Sequence, residues 1–254
     1  MRLKGKVAVV TGGGSGFGAG IVRKFVAEGA QVVVADLNLE AATAVATTAG
    51  PAAHAVRANV AEAGDVRSML DAAEQRFGRL DIVVNNAGVT HLPAPLESVS
   101  EADFDRIVAV NMKAIYYAMR EAVPRLKANA PGAGGIRGVV LNVASTAGVS
   151  PRPRLGWYNA SKGWVITATR ANAVELAPFG IRVVALNPVA GETPLLKSFM
   201  GEDTPEMRAK FLSTIPIGRF SQPEDLGNAA CFLVSDEASM ITGVCMEVDG
   251  GRCI

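Results

Sequence analysis

The stretch Thr11-Gly-Gly-Gly-Ser-Gly-Phe-Gly18 constrains this chain more than any other, because it separates two different periodicities. Before it, Lys6-Val-Ala-Val-Val10 is a short β-rich apolar run. After it, residues 19–29 follow a helical pattern with Phe17, Ile21, Phe25 and Val26 on one side and Gly29 placed to end the helix. A second apolar run, Gln31-Val-Val-Val-Ala35, ends in Asp36, 20 residues after Gly16. Strand, glycine turn, helix, strand and acid in that order make a dinucleotide site. The glycines admit a pyrophosphate, the helix N-terminus turns amides and partial positive charge towards it, and the acid takes ribose hydroxyls. A flexible glycine turn would account for the glycines but not for the flanking strands or Asp36. The spacing is T-G-x-x-x-G-x-G, two residues more in the turn than G-x-G-x-x-G.

Strand-like runs recur along the chain at 7–11, 31–35, 54–58, 81–85, 137–143, 181–186 and 244–248, with helical stretches between them. Most are unbroken Val/Ile/Leu/Ala runs, as in parallel strands buried on both faces. The expected fold is α/β, a doubly wound parallel sheet with helices on both faces, in one domain over residues 1–254. Ligands then bind beyond the strands' C-terminal ends, where Gly12, Asp36, Asn59, Asn86, Ser145 and Pro188 fall. Two segments break the rhythm. Residues 129–135 read as a solvated glycine-rich loop. Residues 189–215 form a long excursion expected to be a substrate lid.

A chain of 254 residues suffices for one large core. The net charge of +1 gives no basic or acidic field, so neither nucleic acid nor a membrane surface is indicated as a partner. The apolar stretch after Arg2, Lys4 and Lys6 is too short for a signal peptide, and no run reaches the length of a membrane span. Cys231, Cys245 and Cys253 lack metal-like spacing, which fits reduced thiols in a cytoplasmic protein and no metal site.

Tyr158 and Lys162 lie four residues apart, one helical turn, so they share a face. A phenol beside an ammonium can serve as a general base, since the positive charge favours phenolate over a free pKa near ~10. Ser145 supplies a hydroxyl to hold a substrate oxygen. Taken alone, such a pair is common on solvated helices.

Together these residues resemble the short-chain dehydrogenase/reductase family. The match runs in order through Thr11-Gly12 to Gly18, Asn85-Asn-Ala-Gly88, Asn111, Ser145, Tyr158/Lys162, Asn187-Pro188 with Thr193, and Asp249-Gly-Gly251. The resemblance implies a Rossmann-type catalytic domain binding NAD and a small-molecule substrate. It makes Tyr158 the acid/base, with Lys162 supporting it and holding the nicotinamide ribose, and Ser145 orienting the substrate oxygen. Asn111 would hold a water relay to Lys162 through a local helix distortion; the alternative is an Asn bonded to its own helix backbone. Cofactor contacts are implied for Gly12, Ser15, Gly16, Phe17, Gly18, Asp36, Asn59, Val60, Asn86, Ala87, Gly88, Tyr158, Lys162, Pro188, Val189 and Thr193. Asn59-Val60 departs from the usual Asp-Val, although an amide oxygen can still accept from the adenine amine. Val189 replaces the usual Gly.

Asp36 points to NAD rather than NADP. A carboxylate near a 2′-phosphate costs roughly 4 kcal/mol per unit charge pair at 4 Å and an effective dielectric of 20, and neither Ser15 nor Leu37 offers a compensating cation. His91, Arg152, Arg154, Trp157 and Leu195 are substrate candidates, against a packing or solvated-loop role for each. Arg152 and Arg154 would suit a carboxylate, phosphate or sulfonate. Leu195, Leu196, Phe199 and Met200 are expected to exclude water from the hydride-transfer site. The helices carrying Asn111 and Tyr158 and the terminal strand have surplus apolar residues, and related proteins assemble through those surfaces, so a homotetramer is expected. The leading expectation is an NAD-dependent dehydrogenase of a secondary alcohol, sugar, polyol or hydroxy acid. The alternatives are a 3-oxoacyl-(acyl-carrier-protein) reductase, against which Asp36 argues, a catalytically silent NAD(H)-binding regulator, and a sugar epimerase or dehydratase, which would need a longer C-terminal part.

Overall fold

The computed structural model describes residues 1–254. Seven strands form one sheet: β1 Val7–Thr11, β2 Gln31–Asp36, β3 Ala53–Arg57, β4 Ile82–Asn85, β5 Gly138–Val143, β6 Ile181–Pro188 and β7 Cys245–Val248. Each of the seven apolar runs becomes a strand. β6 continues two residues past the expected end because Asn187 and Pro188 still pair with Glu247 and Val248. All neighbours are parallel, in the order β3-β2-β1-β4-β5-β6-β7. β1, β4, β5 and β6 are buried along their whole length, as both faces are covered.

Helices α1 (Gly16–Ala27), α2 (Leu39–Ala49), α3 (Ala63–Phe77), α4 (Glu101–Ile107), α5 (Ala114–Ala128), α6 (Gly156–Leu176) and α9 (Pro223–Val234) pack around the sheet. Alternate strand residues feed two cores. Ala8 and Val10 join Ile21, Phe25 and Leu226 on one face, while Val7 and Val9 join Leu70, Ala122 and Leu176 on the other. α1 ends where expected, with Gly29 at φ +90°, and residues 129–135 are an exposed loop with a single short turn.

Strand order reverses between β1 and β4, and the chain is joined tightly there. Thr11 Oγ1 donates to Val84 O at 3.2 Å and accepts from the amides of Asn86 and Ala87 at 3.0 and 3.1 Å. The Asn86 carboxamide donates to the carbonyls of Thr11 (2.8 Å) and Gly12 (3.1 Å). A buried side-chain network anchors α6 to the same region. Asn85 Nδ2 donates to Asn142 Oδ1, Asn142 Nδ2 to Thr169 Oγ1, each at 2.9 Å, and Thr169 Oγ1 to Val165 O at 2.8 Å. These bonds tie β4, β5 and α6 at fixed register inside a low-dielectric interior.

Between β6 and α9, residues 189–220 include α7 (Leu196–Met200) and α8 (Pro205–Leu212) and build a small core of their own from Val189, Leu196, Met200, Phe211, Ile215 and Phe220. Leu196 and Met200 are therefore spent on this core. Only Leu195 and Phe199 of the four apolar residues expected to shield the reaction face the cavity described next.

Candidate active site

A cavity of about 450 Å³ runs along the C-terminal ends of the strands, from Asp36 and Leu37 beyond β2 to Arg152 and Phe211. At one end the glycine turn forms its floor. Gly12 has φ +62°, a left-handed conformation that a β-carbon disfavours. α1 starts at Gly16 with no side-chain cap from Ser15 and no acid in its first turn, so its N-terminal amides face the cavity unopposed. Asp36 closes this end. Its Oδ2 accepts from Gly14 N and its Oδ1 from Asn38 N, both at 2.9 Å.

Most residues expected to hold the cofactor line this cavity: Gly12, Ser15, Gly16, Phe17, Asp36, Asn59, Val60, Asn86, Ala87 and Gly88 on one side, Pro188, Val189 and Thr193 on the other. Gly18 does not. It lies beneath the turn, where a side-chain carbon would overlap the Gly12 carbonyl, so its smallness serves helix packing rather than ligand contact. Asn86 spends both amide hydrogens on bracing the turn. Asn59 Oδ1 accepts from Ala61 N at 3.1 Å, so the oxygen expected to serve adenine is already engaged in a local turn.

At the other end, Ser145 follows β5 and its hydroxyl accepts from Ala147 N at 3.1 Å. Tyr158 and Lys162 lie on α6, both buried. The Tyr158 ring packs at 5.1 Å against Phe199 and contacts Ile107 and Leu155. Lys162 Nζ donates to Val143 O at 2.9 Å and stands 5.9 Å from the Tyr158 ring centre. The expected distortion is present: residues 108–113 form a π-helical segment holding Asn111, a form frequent at functional sites. Asn111 does not bond its own helix. It accepts from Val89 N and donates to Val89 O, both at 2.9 Å, and donates to Ser161 Oγ at 3.0 Å. Asn111 Oδ1 and Lys162 Nζ flank Gly88, each 3.5 Å from where a β-carbon would sit.

The electrostatics differ from the expected tuning in one respect. The phenol is not drawn below its ordinary value by Lys162. Burial raises it to about 12, while the Ser145 hydroxyl pulls the other way. Burial also lowers Lys162 to about 8, so the ammonium is itself weakened as a source of positive charge.

The substrate candidates divide. Arg152 and Leu195 line the cavity. His91 is buried outside it, with Nδ1 2.7 Å from Leu92 O. Arg154 is exposed and reaches Pro93 O at 3.4 Å, and Trp157 stands edge-on to Phe104 on the surface side of α6. Adjacent residues on α6 point about 100° apart, so Trp157 and Tyr158 face different sides of the helix. Sequence reasoning missed Leu155, Phe211 and Ala147 as lining residues. Leu155 carried a signal, three residues before Tyr158 on the same helical face, whereas Phe211 reaches the cavity only through the packing of α8.

Comparison with known proteins gives a consistent picture. Residues 12–252 match the family model described as "Enoyl-(Acyl carrier protein) reductase". The chain is 48% identical, over the full length of both, to 4-formylbenzenesulfonate dehydrogenase TsaC1/TsaC2 of Comamonas testosteroni. It is 38% identical to the 2,5-dichloro-2,5-cyclohexadiene-1,4-diol dehydrogenase of Sphingobium indicum, over 98% of this chain and 97% of that one. Among solved structures, it resembles a 3-ketoacyl-(acyl-carrier-protein) reductase from Brucella melitensis complexed with NADH, with TM-score 0.93 and 51% identity, covering 99% of this chain and 100% of that one.

The buried lysine has a measurable consequence. Its folded pKa, about 8, lies below its ordinary value of 10.5. Between those pH values the unfolded chain binds more protons than the native one, so stability rises with pH across this window. Below pH 8 the full penalty, up to about 3 kcal/mol, is present. Lys162→Met is expected to be more stable than wild type at pH 7 in urea titrations, with the difference gone by pH 10.5. The Tyr158 window, between 10 and 12 and of opposite sign, lies almost wholly above this range.

Proposed function

The chain belongs to the short-chain dehydrogenase/reductase family, and from that premise we propose how its residues carry out the chemistry. The protein is an NAD(H)-dependent oxidoreductase that interconverts a secondary alcohol and its ketone. The observation that carries the residue assignment is the convergence of Ser145, Tyr158 and Lys162 at one end of a cavity whose other end is Asp36 and the open N-terminus of α1.

The residues fit the dinucleotide. Asp36 would meet the adenosine ribose, the amides of the glycine turn and α1 would receive the pyrophosphate, and Lys162 and Thr193 would hold the nicotinamide end. Bound NAD supplies the hydride acceptor or, when reduced, the donor. Tyr158 takes the hydroxyl proton at its phenolic oxygen as the carbinol C–H bond breaks, and returns it when the carbonyl is reduced. Ser145 donates to the same substrate oxygen and fixes its distance from the phenol. The raised Tyr158 pKa keeps the phenol protonated at rest, the form needed for reduction. Oxidation needs phenolate, so the positive charge of Lys162 and of the oxidised cofactor must offset the burial. Phe199 and Leu195, at the mouth of the segment 189–215, keep water from the reacting carbon, which makes this segment the cover of the site.

The second reading, reduction of a 3-oxoacyl thioester, draws on the likeness to the Brucella reductase and on the acyl-carrier-protein reductase family model that the chain matches. An assay of acetoacetyl thioester reduction alongside oxidation of a panel of secondary alcohols separates the two.

We assign the assembly as a homotetramer. Tyr116 on α5 and Trp164 and Val174 on α6 are apolar side chains left exposed on the helices expected to meet a partner. The three thiols are free, which suits the cytoplasm. No helix is long and apolar enough to cross a membrane. Light scattering at micromolar concentrations is expected to give four times the chain mass, and a monomer mass contradicts the assignment.

Tyr158→Phe keeps the ring against Phe199 and removes only the proton carrier. Its turnover is expected to fall about 10²–10⁴-fold with NADH affinity unchanged, measured by steady-state kinetics and fluorescence titration. A variant keeping more than about a tenth of the wild-type rate rules Tyr158 out as the base. Asp36→Ala removes the charge that repels a 2′-phosphate together with the ribose contact. Catalytic efficiency with NAD is expected to fall at least about tenfold while that with NADP rises; equal efficiency with both cofactors in the wild type would sink this assignment of Asp36.

A further inference from the structure

Three charged side chains line the cavity: Asp36 at the glycine-turn end, and Lys162 and Arg152 towards the other. The catalytic end therefore holds cations only. Arg152 is half-buried, and its guanidinium lies 4.4 Å above the Phe211 ring with Nη2 donating to Thr214 Oγ1 at 3.1 Å. That uses one of its five N–H donors. No carboxylate pairs with it. Burial, followed by the nearby charge of Arg252, lowers its pKa to about 10.

Other arginines withdrawn from solvent in this chain have more partners. Arg182 donates to the carbonyls of Leu233, Ile241 and Ser235, although its Nε has no partner, and Arg125 pairs with Asp71 and Glu74. Arg252 shares the condition of Arg152. It donates to Ser150 Oγ at 3.0 Å, and its buried Nε has no partner. Two guanidiniums close enough to repel, without a counter-ion, are costly to hold away from water. The backbone nevertheless keeps Arg152 in place, because its carbonyl accepts from Asn159 Nδ2 at 2.7 Å, one residue beyond Tyr158 on α6. Between Arg152 and Tyr158 the wall is apolar: Leu155, Val189, Phe199 and Phe211.

We infer that Arg152, with Arg252 behind it, is the recognition site for an oxyanion on the substrate, a carboxylate or sulfonate separated by an apolar body from the carbon that Tyr158 and Ser145 address. This specifies a substrate class for the dehydrogenase reading and rests on it. The planar fork of Arg152 would take two oxygens at once while Phe211 fixes its plane, and the apolar wall suits a ring as the spacer.

Calorimetric titration of the NAD-loaded enzyme with 4-acetylbenzoate, 4-acetylbenzenesulfonate and the neutral 4-acetylbenzamide tests the subsite without turnover, since a ketone has no hydride to give the oxidised cofactor. At least one anion is expected to bind about ten times tighter than the amide, and the two anions tell carboxylate from sulfonate. Arg152→Met should abolish that preference while leaving affinity for the amide and for NADH unchanged, which also shows that the variant is folded. Arg152→Lys should retain part of it. Equal affinities in the wild type, or a preference that survives in Arg152→Met, overturns the inference. Oxidation of the corresponding 1-hydroxyethyl compounds is read separately. Anion preference without turnover of any of them counts against the dehydrogenase reading and leaves the Arg152 subsite standing.

Discussion

The joint between β1 and β4 is the constraint on which the site depends. A parallel sheet whose order reverses must send its connections to opposite faces, and a crevice opens where they part. Left to itself, that opening would be a weak seam of unpaired backbone. Thr11 closes it with one hydroxyl serving three backbone groups, and Asn86 closes it with a carboxamide serving two more. With the seam fixed, the glycine turn, the start of α1 and the ends of β4 and β5 have little freedom left. The network Asn85–Asn142–Thr169 carries the same rigidity outward to α6. Tyr158 and Lys162 are thus positioned in part by Asn85, Asn142 and Thr169, which lie outside the cavity.

The fold was legible almost entirely. Most of its seven strands are dominated by Val, Ile, Leu and Ala, as parallel pairing buried on both faces favours, while the edge strands β3 and β7 are only partly covered and carry His54, Arg57 and Glu247. The candidate site was legible where chemistry demands a residue type: the acid that ends β2, the glycine turn, the Tyr–Lys spacing. It was less legible where a residue has two possible uses. Gly18 shares a motif with Gly12 yet packs against the turn, and Asn86, from the Asn85–Gly88 motif, braces that turn. Sequence spacing alone does not separate a glycine that approaches a ligand from one that approaches another backbone. Likewise Arg154 and Trp157 lie near Tyr158 in sequence but outside the cavity, Arg154 reaching Pro93 and Trp157 packing on Phe104, and His91 is held by its own loop at Leu92. The sense of the Tyr158 shift was also out of reach. Proximity to a lysine argues for a lower pKa, and only the depth of burial of both groups reverses it.

Burial of the Tyr158–Lys162 pair links the proposed proton transfer to stability. A phenol and an ammonium both withdrawn from water are poorly solvated whenever either is charged, and the fold tolerates them because Val143 and Ser145 supply partners. The same dryness strengthens each charge interaction once a ligand arrives. The site is therefore least comfortable when empty, as expected of groups arranged for a ligand's charge distribution rather than for their own.

The small core of Val189, Leu196, Met200, Phe211, Ile215 and Phe220 has a consequence for how substrate range can change. It makes one wall of the cavity a separately packed module, seated on the sheet's edge and sharing few of the sheet's own core residues. Substitutions within it reshape the space around the substrate at a cost confined to that module, because sites without shared partners contribute to stability nearly independently. The cofactor half has no such latitude, since its turn is tied into the central seam. One half of the cavity is thus committed to a single ligand, and the other is free to be re-cut for many.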